Sequence, residues 1–85
     1  QELPKAYPNP FRDQVTLVFY ALTDSDILIR LLDPMGRLVQ ELEVPGVKNQ
    51  YISVQFEDLQ FLGSGIYHIQ VRQGKNVLNQ KILKY

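Results

Sequence analysis

The sequence predicts an all-β fold, an immunoglobulin-like antiparallel β-sandwich of about seven strands. Three observations carry that expectation. Short apolar runs alternate their side chains inward and outward with the period of two that a half-buried strand requires. Clusters of turn-forming residues separate the runs. No stretch sustains the helical rhythm of about 3.6 residues.

Taken in order, residues 1–10 carry prolines at 4, 8 and 10 and read as an extended lead-in, the end of a linker that can begin a first edge strand. A sandwich domain then fills residues 7–85. Residues 15–22 (VTLVFYAL) place Val15, Leu17, Phe19 and Ala21 on one face. In residues 27–32, Ile27, Ile29 and Leu31 share a face while Arg30 points the other way. Asp33-Pro34-Met35-Gly36 follows and fits a type I turn: Asp at position i, Pro presetting φ at i+1, Gly free to take positive φ. A shorter strand over 38–44 leads to the looser connection at Pro45-Gly46. Residues 51–56 put Ile52, Val54 and Phe56 inward, with Ser53 and Gln55 outward. After the break at Gly63-Ser64-Gly65, residues 66–72 turn Tyr67, Ile69 and Val71 inward and His68, Gln70 and Arg72 outward. Gln73-Gly74-Lys75-Asn76 reads as a hairpin turn into a last strand over 77–83, whose VLNQKIL mixes its faces.

A chain of 85 residues has room for one domain. With 45% of its residues apolar and 11% aromatic, it can fill a single core. Nine basic residues balance nine acidic ones, so the composition gives no reason to expect nucleic acid or an anionic membrane as partner. There is no cysteine, which removes disulfides, thiolate metal sites and thiol nucleophiles. No run approaches the ~18 apolar residues of a membrane-spanning helix, and the first residues do not form a signal peptide. If this chain is exported, a segment upstream has to supply the first targeting step. The expectation is the tail end of a longer protein.

Catalytic machinery is not evident. The single histidine, His68, falls on the outward face of its strand and reads as a surface residue rather than a base or ligand. Asp24-Ser25-Asp26 resembles the start of a calcium loop, but Ile29 and Met35 stand where that loop needs Gly and a bidentate Glu. Ser25, Ser53 and Ser64 lack a neighbouring base or nucleophile elbow. The glycines at 63 and 65 precede a strand, so they do not make a phosphate loop. Glu41 with Glu43, and Glu57 with Asp58, read as solubilising pairs. We expect no catalytic residue, no metal and no cofactor. The alternative function is an accessory binding module for polysaccharide or protein, with Tyr20 and Tyr51 as candidate contacts. The absence of Trp and of an evident aromatic strip argues against it.

Four landmarks occur in order: Tyr7-Pro8-Asn9-Pro10-Phe11, Asp33-Pro34-Met35-Gly36-Arg37, Leu62-Gly63-Ser64-Gly65-Ile66-Tyr67, and Lys81 in the last strand. Together they resemble the type A C-terminal sorting domain of the type IX secretion system of Bacteroidetes, whose pattern runs YPNPF, D-x-x-G-R, L-x-S-G-x-Y and a terminal strand carrying Lys. The resemblance covers nearly the whole chain. The final strand departs from it, being more polar at its start than the family's basic and apolar alternation.

The resemblance implies a sorting signal rather than an enzyme, with Pro8, Asn9, Pro10, Asp33, Gly36, Arg37, Gly65, Tyr67 and Lys81 as its motif residues. It implies cargo domains upstream in the same protein, an outer-membrane translocon and a surface sortase-type peptidase as partners. The route runs through the periplasm to the cell surface or the medium, where the cargo is attached or released. The terminal strand, about residues 77–84, is the expected docking edge, with Lys75, Lys81 and Lys84 discouraging indiscriminate pairing and favouring an acidic receptor.

Overall fold

The computed structural model describes residues 2–85 and contains seven strands. They are β1 (Lys5–Tyr7), β2 (Val15–Tyr20), β3 (Asp26–Leu32), β4 (Leu38–Pro45), β5 (Tyr51–Phe56), β6 (Gly65–Gln73) and β7 (Asn76–Lys84). Two antiparallel sheets face each other, ordered β1-β2-β5 and β4-β3-β6-β7. β4 pairs with β3 at one edge of the larger sheet, so the sandwich is immunoglobulin-like, with three strands in one sheet and four in the other. The all-β sandwich read from the sequence is the fold observed.

The core follows the alternation. Val15, Leu17 and Phe19 of β2 meet Ile27, Ile29 and Leu31 of β3 and Tyr67, Ile69 and Val71 of β6, all buried. In β5, Phe56 is buried while Ile52 and Val54 are only half-buried, because β5 forms the edge of the smaller sheet. The turn after β3 forms as expected, with the Gly36 N–H donating to the Asp33 carbonyl at 2.9 Å and Gly36 at φ +83°. A two-residue hairpin turn joins Gln73 to Asn76, with Gly74 at φ +60°.

Three elements depart from the sequence reading. β2 ends at Tyr20 rather than 22, because the Gln73 side chain competes for the backbone there. Its amide accepts from the Leu22 N–H at 2.7 Å and donates to the Tyr20 carbonyl at 3.0 Å. β4 carries one extra residue: Leu31 pairs with Gln40 and Leu32 with Leu38, so Val39 bulges out of the ladder. The mixed pattern of the last strand also resolves, with Leu78, Gln80, Ile82 and Lys84 on its more buried side. Gln80 is tolerated because β7 is the sheet's edge and leaves it half-buried, while the buried Lys84 directs its Nζ to the Tyr85 carbonyl at 3.5 Å.

The lead-in does more than lead in. β1 pairs with β2 in the first sheet, and Pro8 and Pro10 then end that pairing, since proline brings no N–H to a ladder. The chain crosses to the second sheet, where Phe11 lies parallel to the end of β7. Its N–H donates to the Leu83 carbonyl at 2.8 Å, and its carbonyl accepts from the Tyr85 N–H at 3.2 Å.

Candidate functional site

The landmark motifs, up to 74 residues apart in sequence, meet at one end of the sandwich. Phe11 is fully buried there, its ring edge-to-face with Tyr67 at 5.7 Å and 78°. Asn9 reaches the terminal strand, its Oδ1 accepting from the Leu83 N–H at 3.0 Å. Pro8 and Pro10 flank it and set the crossing between sheets. The Tyr67 hydroxyl donates to the Gly63 carbonyl at 2.7 Å, closing the loop before β6. Burial first, and the charge of Asp33 second, push the Tyr67 phenol above its ordinary pKa, so it stays protonated and able to donate. Gly65, at φ +149°, is where the second and third motifs touch: a Cβ there would stand 2.9 Å from Pro34 Cγ.

Asp33 organises its own turn. Its Oδ1 accepts from the backbone N–H groups of Met35 (2.9 Å) and Arg37 (2.8 Å), and its Oδ2 pairs with Arg37 Nε at 2.9 Å. The Arg37 backbone N–H is the largest influence holding the carboxyl below its usual pKa, against a smaller opposing effect of burial. A depressed carboxylate contributes its ordering above the ordinary pKa and loses it as pH falls through the lower folded value. The Met35 and Arg37 amide resonances should therefore titrate together in acid, with a midpoint below the usual Asp range. Asp33→Asn should leave them flat. A midpoint at or above that range would contradict the geometry.

Lys81 and Lys84 divide differently than the sequence suggests. Lys81 is exposed, opposite His68 on the outer face of the second sheet, beside a shallow groove of about 210 Å³ shared with Asn9, Ile66 and Leu83. Lys84 is the buried one, 8% exposed, with its Nζ 6.0 Å from the centre of the Phe11 ring. Lys84, read from the sequence as an edge lysine facing a receptor, instead packs into the motif end, where Pro34 and Gly63 of the landmark motifs also make contacts. A strict count of two from Ile82 would have turned Lys84 inward. The contacts of Pro34 and Gly63 depend on tertiary placement.

The docking edge expected over 77–84 is shorter than that. β7 is an edge strand, but its last residues are already paired by Asn9 and Phe11, and Arg12 lies 4.3 Å over the Tyr85 ring. The charge balance also has a local structure that the total conceals. Every Asp and Glu lies at or before Asp58, while Arg72, Lys75, Lys81 and Lys84 all belong to the β6–β7 hairpin. That hairpin is wholly basic, and the rest of the domain is net acidic.

The other candidates take structural places. His68 is half-buried on the outer sheet face between Leu32 and Lys81. Asp24 braces the β4–β5 loop, accepting from the Lys48 N–H at 2.9 Å. Tyr20 and Tyr51 stand side by side after all, but edge-to-face at 5.3 Å and 71°, which offers no flat platform to a sugar ring. Among the described residues no cluster of three or more His, Asp or Glu is placed to hold a metal ion, and no helix is long and apolar enough to cross a membrane.

No curated protein matches the chain. Residues 5–85 match the family described as the secretion system C-terminal sorting domain. Its members are sorting signals rather than catalysts, carried by proteins bound across the outer membrane for the cell surface or beyond. The chain belongs to the family of type IX secretion C-terminal sorting domains.

Proposed function

We propose that this domain is read in its folded form by the outer-membrane translocon of the type IX system, after the cargo it follows has reached the periplasm. A surface sortase-type peptidase then removes the domain, and the cargo is attached to the surface or released. The observation that supports this reading is the convergence at the motif end. Segments far apart in sequence are linked there by successive contacts, Leu83–Tyr85 to Asn9–Phe11, Phe11 to Tyr67, and Gly65 to Pro34. Such a surface exists only when the chain is complete and folded. A receptor reading it distinguishes a finished cargo from a truncated one.

In this reading Lys81 and the groove beside Asn9 face the receptor, while Phe11, Gly65 and Tyr67 hold that surface in shape. The test is to append the 85 residues to a periplasm-directed fluorescent protein in a host that has the system. The reporter should appear outside the cell. Removing residues 81–85 deletes the partners of Asn9 and Phe11 and should trap the reporter inside. Periplasmic retention of the intact fusion would sink the proposal.

A further inference from the structure

Resting on the sorting function proposed above, the geometry points to the β7 edge between Val77 and Lys81 as the docking site for an extended, acidic strand of a protein of the secretion machinery, added to the second sheet by backbone pairing. The direction of the free hydrogen-bonding groups follows from Leu83. Its N–H and C=O both point away from β6, since Asn9 and Phe11 hold them. The β6–β7 register runs without a shift from Gly65↔Lys84 to Gln73↔Asn76. In an antiparallel pair the outward-facing groups recur every second residue. The N–H and C=O of Lys81, Asn79 and Val77 therefore line up on the same side, facing the groove between β7 and the lead-in. Among the described residues only the Lys81 carbonyl has a partner there, a long contact of 3.4 Å from its neighbour Gln80 Nε2 that an incoming N–H can displace.

Only an extended backbone can satisfy that row. A strand arriving there prolongs the parallel pairing that Phe11 has already begun at the end of β7. Its inward side chains meet a cleft of about 530 Å³ between the sheets, apolar at its floor, where Phe19, Leu22, Val71 and Leu78 line it, and polar at its rim, where Glu2, Gln73 and Asn76 do. A side chain placed beside Leu78 points into that space. An apolar residue would be held there, and its outward neighbours would lie along the acid-free hairpin next to Lys81 and Arg72. Acidic residues at those positions complement the charge. A second copy of this chain fits less well, because edge-to-edge pairing would bring two wholly basic hairpins together.

The test uses the reporter fusion with single substitutions on β7. Asn79→Pro removes one outward N–H and no bond to β6, so the sheet keeps its ladder while the edge is blocked. Export should fall about tenfold or more, with a thermal midpoint within a few degrees of the parent. Asn79→Ala keeps the N–H and should export normally. Lys81→Glu, at an exposed side chain, should also lower export by about tenfold. Should Asn79→Pro fail to fold, Val77→Pro near the start of the strand takes its place, again removing an outward N–H.

Normal export of a folded proline variant overturns the strand inference and leaves the sorting function standing. Failure of the unaltered fusion overturns the sorting function itself. If Lys81→Glu blocks export while the folded proline variant does not, an anionic surface such as a glycolipid reads the charge, and no strand is added.

Discussion

Phe11→Ala should cost this domain about 3–5 kcal/mol, the range for truncating a buried aromatic ring. Domains gain about 0.05–0.15 kcal/mol per residue, so a chain of 85 residues has roughly 4–13 kcal/mol in all. The substitution therefore removes a large fraction of the margin, and a thermal melt should shift down by at least about 12 °C. The ring is wholly buried and in contact with Tyr67, so nothing nearby is free to fill its space without moving β6. The loss also has a location. Phe11 is the residue through which the lead-in holds the chain's end, so amide exchange at Tyr85 and Leu83 should speed up more than in the middle of β3. Phe11→Leu, which retains most of the apolar volume, should cost only ~1–2 kcal/mol and keep those amides protected. A melt of Phe11→Ala within a few degrees of the parent would mean that the ring is not the plug the packing makes it.

The effect on sorting should exceed the effect on folding. The motif end is assembled from pieces of chain that have no local reason to stay together, so it opens before the rest of the sandwich does. At a temperature where Phe11→Ala is still folded by circular dichroism, export of the reporter fusion should already be lost. Equal loss of fold and export along one curve would instead assign Phe11 to global stability alone.

How much of this was legible in the sequence varies by element. β2, β3 and β6 bury one face each and β5 half-buries one, and a covered face writes its period of two directly into the residues, as Ile27, Ile29 and Leu31 show. The turn at Asp33 was equally plain, because side-chain bonds to the next few N–H groups are local chemistry. β7 was obscure for the opposite reason. Gln80 sits at a position the edge leaves only partly covered, and Lys84 is buried along its stem with its Nζ near the Phe11 ring and the Tyr85 carbonyl, so two polar residues blur the pattern. The crossing of the lead-in could not be read at all. Prolines at 8 and 10 announce that pairing with β2 stops, but the partner that Phe11 finds lies more than 70 residues away. The charge asymmetry was present in the sequence throughout and hidden by summing it. Only the hairpin geometry makes residues 65–84 one surface and gives their charge a single direction.

Gly65→Ala should cost about 2–4 kcal/mol, and the loss should be shared between two separable causes. The first is conformational: at φ +149° a residue with a Cβ is strained by about 1–3 kcal/mol wherever it sits. The second is contact, because the new methyl would lie 2.9 Å from Cγ of Pro34, tighter than real Cβ atoms come. A proline ring cannot swing aside as a flexible side chain would, so the turn of the second motif must shift for the third to accept the methyl. Pro34→Ala alone removes a preset φ at the turn and should cost less than about 1 kcal/mol. Combined with Gly65→Ala it removes the obstacle, so the double variant should be more stable than the two single losses predict by about 0.5 kcal/mol or more. The strain will remain, and the double variant should not recover the parent's stability. Additivity within error would show that the two motifs do not touch in solution, and with that the claim that the sorting motifs form one continuous surface would lose its tightest contact. A positive coupling between residues 31 positions apart in sequence, neither of which pairs with the other in a strand, has no other evident source than that contact.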